Sequence, residues 1–304
     1  MINKLIGHKD IFFKLKDLYD GKKFPNKILL TGPDGIGKNL ISKHLLNYIL
    51  SKDEDLPYDI KNLQINNQNR SNKLLENNTH TNIFRIYKKD DKKNIDISQV
   101  REMIKFQNTS SFNNKERFVL IEDANLLNQN SVNALLKSVE EPNNNLNYII
   151  THNSNFKLIE TLKSRCIEFK INLESKYTKT IVDEYFNESK YDLISDDFIN
   201  HYNNPSFLIK FIEFNENEGL EITNITIEKF LFEIFNNSNF LKDDFILSNL
   251  NLFIELYFYK NINVHRKNLF KTKEYFFKKL SNVRKYNLDL ETFFLEFKEI
   301  ISYE

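Results

Sequence analysis

Three of the six glycines in this 304-residue chain fall within six positions, at Gly32, Gly35 and Gly37. Glycine is otherwise scarce here, against a usual share of roughly 7%, so such a cluster answers a geometric need. On one side lies Lys27 to Thr31, a short apolar run that predicts a buried strand. On the other, Ile41, Leu45, Tyr48 and Ile49 recur at helical spacing between Leu40 and Leu50. A glycine-rich turn between a buried strand and a helix lets successive backbone N–H groups turn inward and sets the positive end of the helix behind them. The segment Gly32-Pro33-Asp34-Gly35-Ile36-Gly37-Lys38-Asn39 fits the phosphate-binding pattern G-x-x-x-x-G-K-[ST] at every position but the last. Lys38 would bridge terminal phosphates of ATP or ADP. Asn39 stands where a hydroxyl normally ligates Mg2+, and an amide oxygen is a poorer, differently placed ligand. The pattern therefore predicts nucleotide binding with Mg2+ held weakly or not at all; a glycine-rich turn that merely contains a lysine is the alternative.

Beyond the loop, Ile83 to Tyr87, Arg117 to Ile121 and Tyr148 to Thr151 read as further strands. Between them run a helix carrying Val100, Met103, Ile104 and Phe106, with Ser98 as its expected cap, and one carrying Val132, Leu135, Leu136 and Val139 that stops at Pro142. Strands alternating with helices predict an α/β fold, a doubly wound parallel sheet covered on both faces. Residues 51–82 are polar, rich in Asn and without sustained period, which predicts a long surface insertion. Past about residue 172 strand signals cease. Apolar residues spaced by three and four at 181–185, 208–214, 227–235, 252–259 and 293–301 predict an all-helical remainder, its aromatic stripes serving as packing.

Glu122-Asp123 ends the Arg117 strand, where one carboxylate of an acidic motif orients Mg2+ and the next activates water. The usual Asp-Glu order is inverted, which sets the second, shorter carboxylate back from the water; two solvated acids at a strand end are the bland alternative. Thr151 and Asn153, at the end of the Tyr148 strand, are candidates for a polar γ-phosphate sensor. With 43 Lys+Arg against 42 Asp+Glu, any nucleic-acid contact must be a local patch. Cys166, the one cysteine, excludes an internal disulfide and a Cys-rich zinc site. No apolar run reaches 18 residues and no signal-peptide core opens the chain, so a cytoplasmic protein without membrane contact is expected.

The stretch Arg117 to Pro142, with Asn133 to Pro142 reading Asn-Ala-Leu-Leu-Lys-Ser-Val-Glu-Glu-Pro, followed by Ser164-Arg165-Cys166, resembles the clamp-loader AAA+ ATPases of replicative polymerases. Leu5 to His8 and Ile97 to Glu102 support the likeness, which is dense from Leu5 to Phe169 and thin afterward. The resemblance implies an AAA+ nucleotide-binding domain over 1–171, a helical lid over 172–219 and a C-terminal helical collar over 220–304 that oligomerises. It implies a subunit of a hetero-pentameric loader of the DNA polymerase III holoenzyme, a rigid end piece that helps place a sliding clamp on primed DNA. Arg165 would be an arginine finger, acting in trans on a neighbour's nucleotide; an ordinary surface ion pair is the alternative. The four-cysteine zinc module of many relatives is missing from 51–82, so no zinc is expected. Phe207 occupies the expected sensor-arginine position. Altered Asn39, Glu122-Asp123 and Phe207 together point to weak or absent intrinsic ATPase. A motor subunit of the same loader is the rival within the family. A small-molecule phosphotransferase such as a nucleotide kinase is the rival outside it, but leaves Ser164-Arg165-Cys166 and the helical third unexplained.

Overall fold

The computed structural model describes residues 3–89, 92, 94–109, 115–140, 146–200, 203–223, 225–237, 240, 243–261, 269–286 and 288–302. They form two compact units, 1–177 and 178–304. In the first, the chain runs α1 (Lys9–Asp20), β1 (Lys27–Gly32), α2 (Lys38–Leu50), α3 (Arg70–Glu76), β2 (Ile83–Ile86), α4 (Ile97–Gln107), β3 (Arg117–Ile121), α5 (Gln129–Glu140), β4 (Leu146–Asn153), α6 (Glu160–Lys163) and β5 (Ile167–Lys170). The five strands pair in parallel in the order β2-β3-β4-β1-β5, as the predicted doubly wound sheet requires.

Alternation along the strands builds a core on each face. Ile28, Leu30, Phe118 and Leu120 pack with Phe12 of α1 and Ile41 and Leu45 of α2. Leu29, Val119, Ile121 and Ile150 pack with Val100 and Met103 of α4 and Leu135 and Val139 of α5. With β1 between β4 and β5, the loop after it opens at the carboxyl edge of the sheet, where such folds bind ligands.

Two local expectations are corrected. Asp96, not Ser98, caps α4: its carboxylate accepts the Ser98 N–H at 2.9 Å. The 51–82 insertion is not all at the surface. Asn69 caps α3, while Tyr58, Leu63, Ile65 and Leu75 join the core beside α1 and α2. The stop at Pro142 lies outside the described residues.

The second unit holds most of α7 (Lys176–Phe186), then α8 (Asp196–Ile199), α9 (Pro205–Asn217), α10 (Ile227–Asn236), α11 (Asp244–Lys260), α12 (Leu269–Tyr286) and α13 (Glu291–Ser302), with no strand among its described residues. One apolar core runs from Val182 to Phe297 and buries Phe230, Ile234, Phe253, Tyr257, Phe293, Phe294 and Phe297. Among the described residues no helix is long and apolar enough to cross a membrane.

Candidate functional site

The loop leaves β1 at Gly32 and enters α2 at Lys38. Gly35 and Gly37 take φ of +69° and +94°, a region costly for other residues. At Gly32 the need is space: a Cβ would lie 2.4 Å from the Ile171 carbonyl oxygen and 2.9 Å from Ile36 Cδ1. His8, buried, donates from Nε2 to the Ile36 carbonyl at 2.6 Å and so pins the loop from outside the motif. Burial keeps that imidazole below its ordinary pKa. Pro33, Asp34 and Ile36 complete the turn, in which Asp34 Oδ1 accepts the Gly35 N–H at 2.9 Å. Lys38, only 4% exposed, turns its ammonium onto the Pro33 carbonyl at 2.5 Å. Its pKa is lowered by burial, against the pull of Asp123 and Asp34.

Asn39 links the loop to the ends of β3 and β4. Its Oδ1 accepts the Thr151 hydroxyl at 2.7 Å, and its Nδ2 lies 3.5 Å from both Glu122 Oε2 and Asp123 Oδ2. Thr151 Oγ1 in turn accepts the Asp123 backbone N–H at 2.8 Å. Asp123 sits in the left-handed region, φ 55°, unusual for a residue with a side chain. Burial and the nearby Asp34 raise its pKa, against Lys38 and Asn39. Of the two sensor candidates only Thr151 enters this network. The Asn153 side chain accepts the Asn155 N–H at 3.0 Å in its own turn.

Glu122 has a partner that no motif announces. Arg85, on the neighbouring strand β2, donates Nε and Nη2 to Glu122 Oε1 at 2.9 and 2.6 Å, both side chains nearly buried. Arg85 Nη1 donates to Asn78 Oδ1 at 2.8 Å, and the guanidinium lies 5.0 Å from the centre of the Tyr87 ring.

Arg165, after α6, stays on its own surface, pairing with Glu140 and donating to the Thr161 carbonyl at 2.7 Å. Ser164 donates to that same carbonyl. Cys166 is partly buried, and burial raises its thiol pKa to about 11, far from a reactive thiolate. In the second unit Phe207 is 6% exposed, stacked on Phe211 with ring centres 6.1 Å apart and flanked by Phe245 and Phe253. Among the described residues no group of three His, Cys, Asp or Glu could hold a metal ion.

A family model described as DNA polymerase III, delta subunit, matches residues 7–175. DNA polymerase III subunit delta' of Pseudomonas aeruginosa is 30% identical over 140 residues, 46% of this chain and 41% of that protein. The subunit of the same name from Buchnera aphidicola subsp. Acyrthosiphon pisum is 25% identical over 229 residues, 74% and 65% of the two chains. The chain thus spans less than two thirds of the length of these relatives. A solved structure, a DNA polymerase III gamma subunit-related protein from Thermotoga maritima, superposes with TM-score 0.56 at 17% identity over 96% of both chains, so the fold is shared.

Proposed function

The chain belongs to the DNA polymerase III delta subunit family, and from that premise we propose that it is a delta prime subunit of a clamp loader, an end piece of a hetero-pentameric ring that binds nucleotide without turning it over and serves a neighbour's site with Arg165. In this reading 1–171 is the AAA+ domain, 172–219 the lid and 220–304 the collar that joins the other subunits, and the assembled ring acts on the sliding clamp and primed DNA.

The observation that carries the non-hydrolysing role is the state of the acidic pair. A metal-orienting carboxylate and a general base both need a free lone pair facing the reaction. Glu122 Oε1 instead accepts two N–H groups from Arg85, its Oε2 and Asp123 Oδ2 each lie 3.5 Å from the Asn39 amide, and Asp123 is shorter than the usual glutamate. The loop itself keeps what phosphate binding asks for: left-handed glycines and a buried lysine at the head of α2.

Arg165 supports the trans role by its accessibility. An exposed ion pair such as Arg165–Glu140 contributes about 1 kcal/mol or less, so exchanging Glu140 for a phosphate on a neighbouring subunit costs little. A guanidinium at a transition-state phosphoryl group raises turnover by factors of about 10³ to 10⁵ at the site it serves. The test is reconstitution with the other loader subunits, comparing ATP turnover under clamp and DNA stimulation for wild type, Arg165→Ala and Arg165→Lys. Assembly is expected to be unchanged, with one site's share of turnover lost in Ala and poorly rescued in Lys, whose point charge lacks the two-pronged donor. Equal rates in all three would make Arg165 a structural surface residue. Failure to join the ring would remove the whole reading.

A further inference from the structure

We propose that the cation position of this site is filled by the protein itself, by the Asn39 amide and the Arg85 guanidinium, so that the loop takes a nucleotide's phosphates without a divalent metal. The inference rests on the nucleotide-binding reading of the loop.

One proton orients the Asn39 amide. The Thr151 hydroxyl accepts the Asp123 N–H and donates its single hydrogen to Asn39 Oδ1. That orients the amide: oxygen toward Thr151, NH2 toward the two carboxylates. A metal ligand at this position would need the reverse, an oxygen lone pair aimed at an ion about 2.0–2.1 Å away. Rotating the amide to offer its oxygen would bring that oxygen against two carboxylates. The residue is a hydrogen-bond donor to the acidic pair where relatives of the pattern place a metal ligand.

Glu122 completes the substitution. Its Oε1 holds two N–H groups of Arg85, and its Oε2 faces the Asn39 amide. Arg85 is held in place by Asn78 and the Tyr87 ring. Glu122 thus faces the Arg85 guanidinium and the Asn39 amide, and Asp123 lies within the pull of Lys38, before any ion arrives. A Mg2+ entering here would have to displace a largely buried ion pair while meeting ligands already engaged, so the residues present do not fit the metal. Phosphate charge is left to Lys38, the loop N–H groups and the positive end of α2.

The test is titration of ADP into the 304-residue chain, once with Mg2+ and once with EDTA. The two affinities are expected to agree within about twofold. Binding at least about tenfold weaker in EDTA overturns the inference and leaves the loop reading standing, whereas no binding in either buffer overturns both. The same titrations on Asn39→Thr with Arg85→Gln, and on Asn39→Thr alone should the double variant melt early, are expected to favour Mg2+ by about tenfold or more. A folded variant as indifferent to Mg2+ as wild type would show that these side chains are not what displaces the metal.

Discussion

Asn39 differs from a threonine by a few atoms, and the sequence marks the departure without revealing its result. A motif says which ligand is missing. Only the fold says what the replacement does, because the Asn39 amide meets Thr151, Glu122 and Asp123 at the ends of β3 and β4. Arg85 was illegible for the same reason. It lies 37 residues from Glu122, on a strand that was legible but with nothing to mark its arginine, and only the parallel pairing of β2 with β3 brings them together. His8 was legible as part of a resemblance but not as a pin on Ile36, since one imidazole has no recognisable spacing. Gly32, by contrast, was readable from the start, and the structure supplies a cost. A methyl there would press into the Ile171 carbonyl, backbone that cannot swing aside. Gly32→Ala is expected to lower stability by about 1–3 kcal/mol in urea unfolding; an unchanged midpoint would mean that the β1–Ile171 approach is looser than described.

At the scale of elements, strands with both faces buried announced themselves as continuous apolar runs, and β1, β3 and β4 are all of this kind. Strand β5 did not. Ile-Glu-Phe-Lys at the sheet edge alternates over four residues and leaves Ile167 54% exposed, too short a pattern to stand out. Helix α12 was hidden by its lysines, although Phe276, Leu280 and Val283 lie at spacings of four and three and are all buried. The segment 51–82 misled because its core residues are scattered singly among asparagines, and their burial depends on α1 and α2 being there to receive them. Phe207 belongs to α9 and the aromatic packing around it. Were it a vacant sensor position, an arginine would be tolerated, but the ring is enclosed by Phe211, Phe245 and Phe253. Phe207→Arg is expected to destabilise the chain by at least the cost of Phe→Ala in a core, about 3–5 kcal/mol, and not to restore turnover. A stable variant, judged by calorimetry, would show that the side chain escapes the core.

For the molecule as a whole, the first unit carries an acid sensitivity written in its histidines. His8, His44, His80 and His152 all have pKa values lowered, in each case first by burial, and His44 falls to about 3. His44 is fully enclosed, with Nδ1 2.8 Å from the Tyr58 hydroxyl. Unfolded, the same ring titrates near 6.5. The unfolded chain therefore binds more protons, so stability is full above about pH 6.5 and is lost as pH falls from there toward 3. At pH 5 this one ring accounts for a loss of about 2 kcal/mol. His44→Gln is expected to shrink by that amount the drop in unfolding free energy between pH 7 and pH 5; an identical drop would mean that His44 protonates in place. The strand order has a consequence in time. β1 is made early, yet its partners on both sides are β4 and β5, at the far end of the unit. On a ribosome adding about 5–20 residues per second, the interval from Gly32 to Leu146 lasts about 6–23 s. Throughout it Ile28, Leu29 and Leu30 have no strand to pair with, so a strand synthesised among the first of the unit gains its two neighbours among the last, and until then only α1 and α2 are there to shelter it.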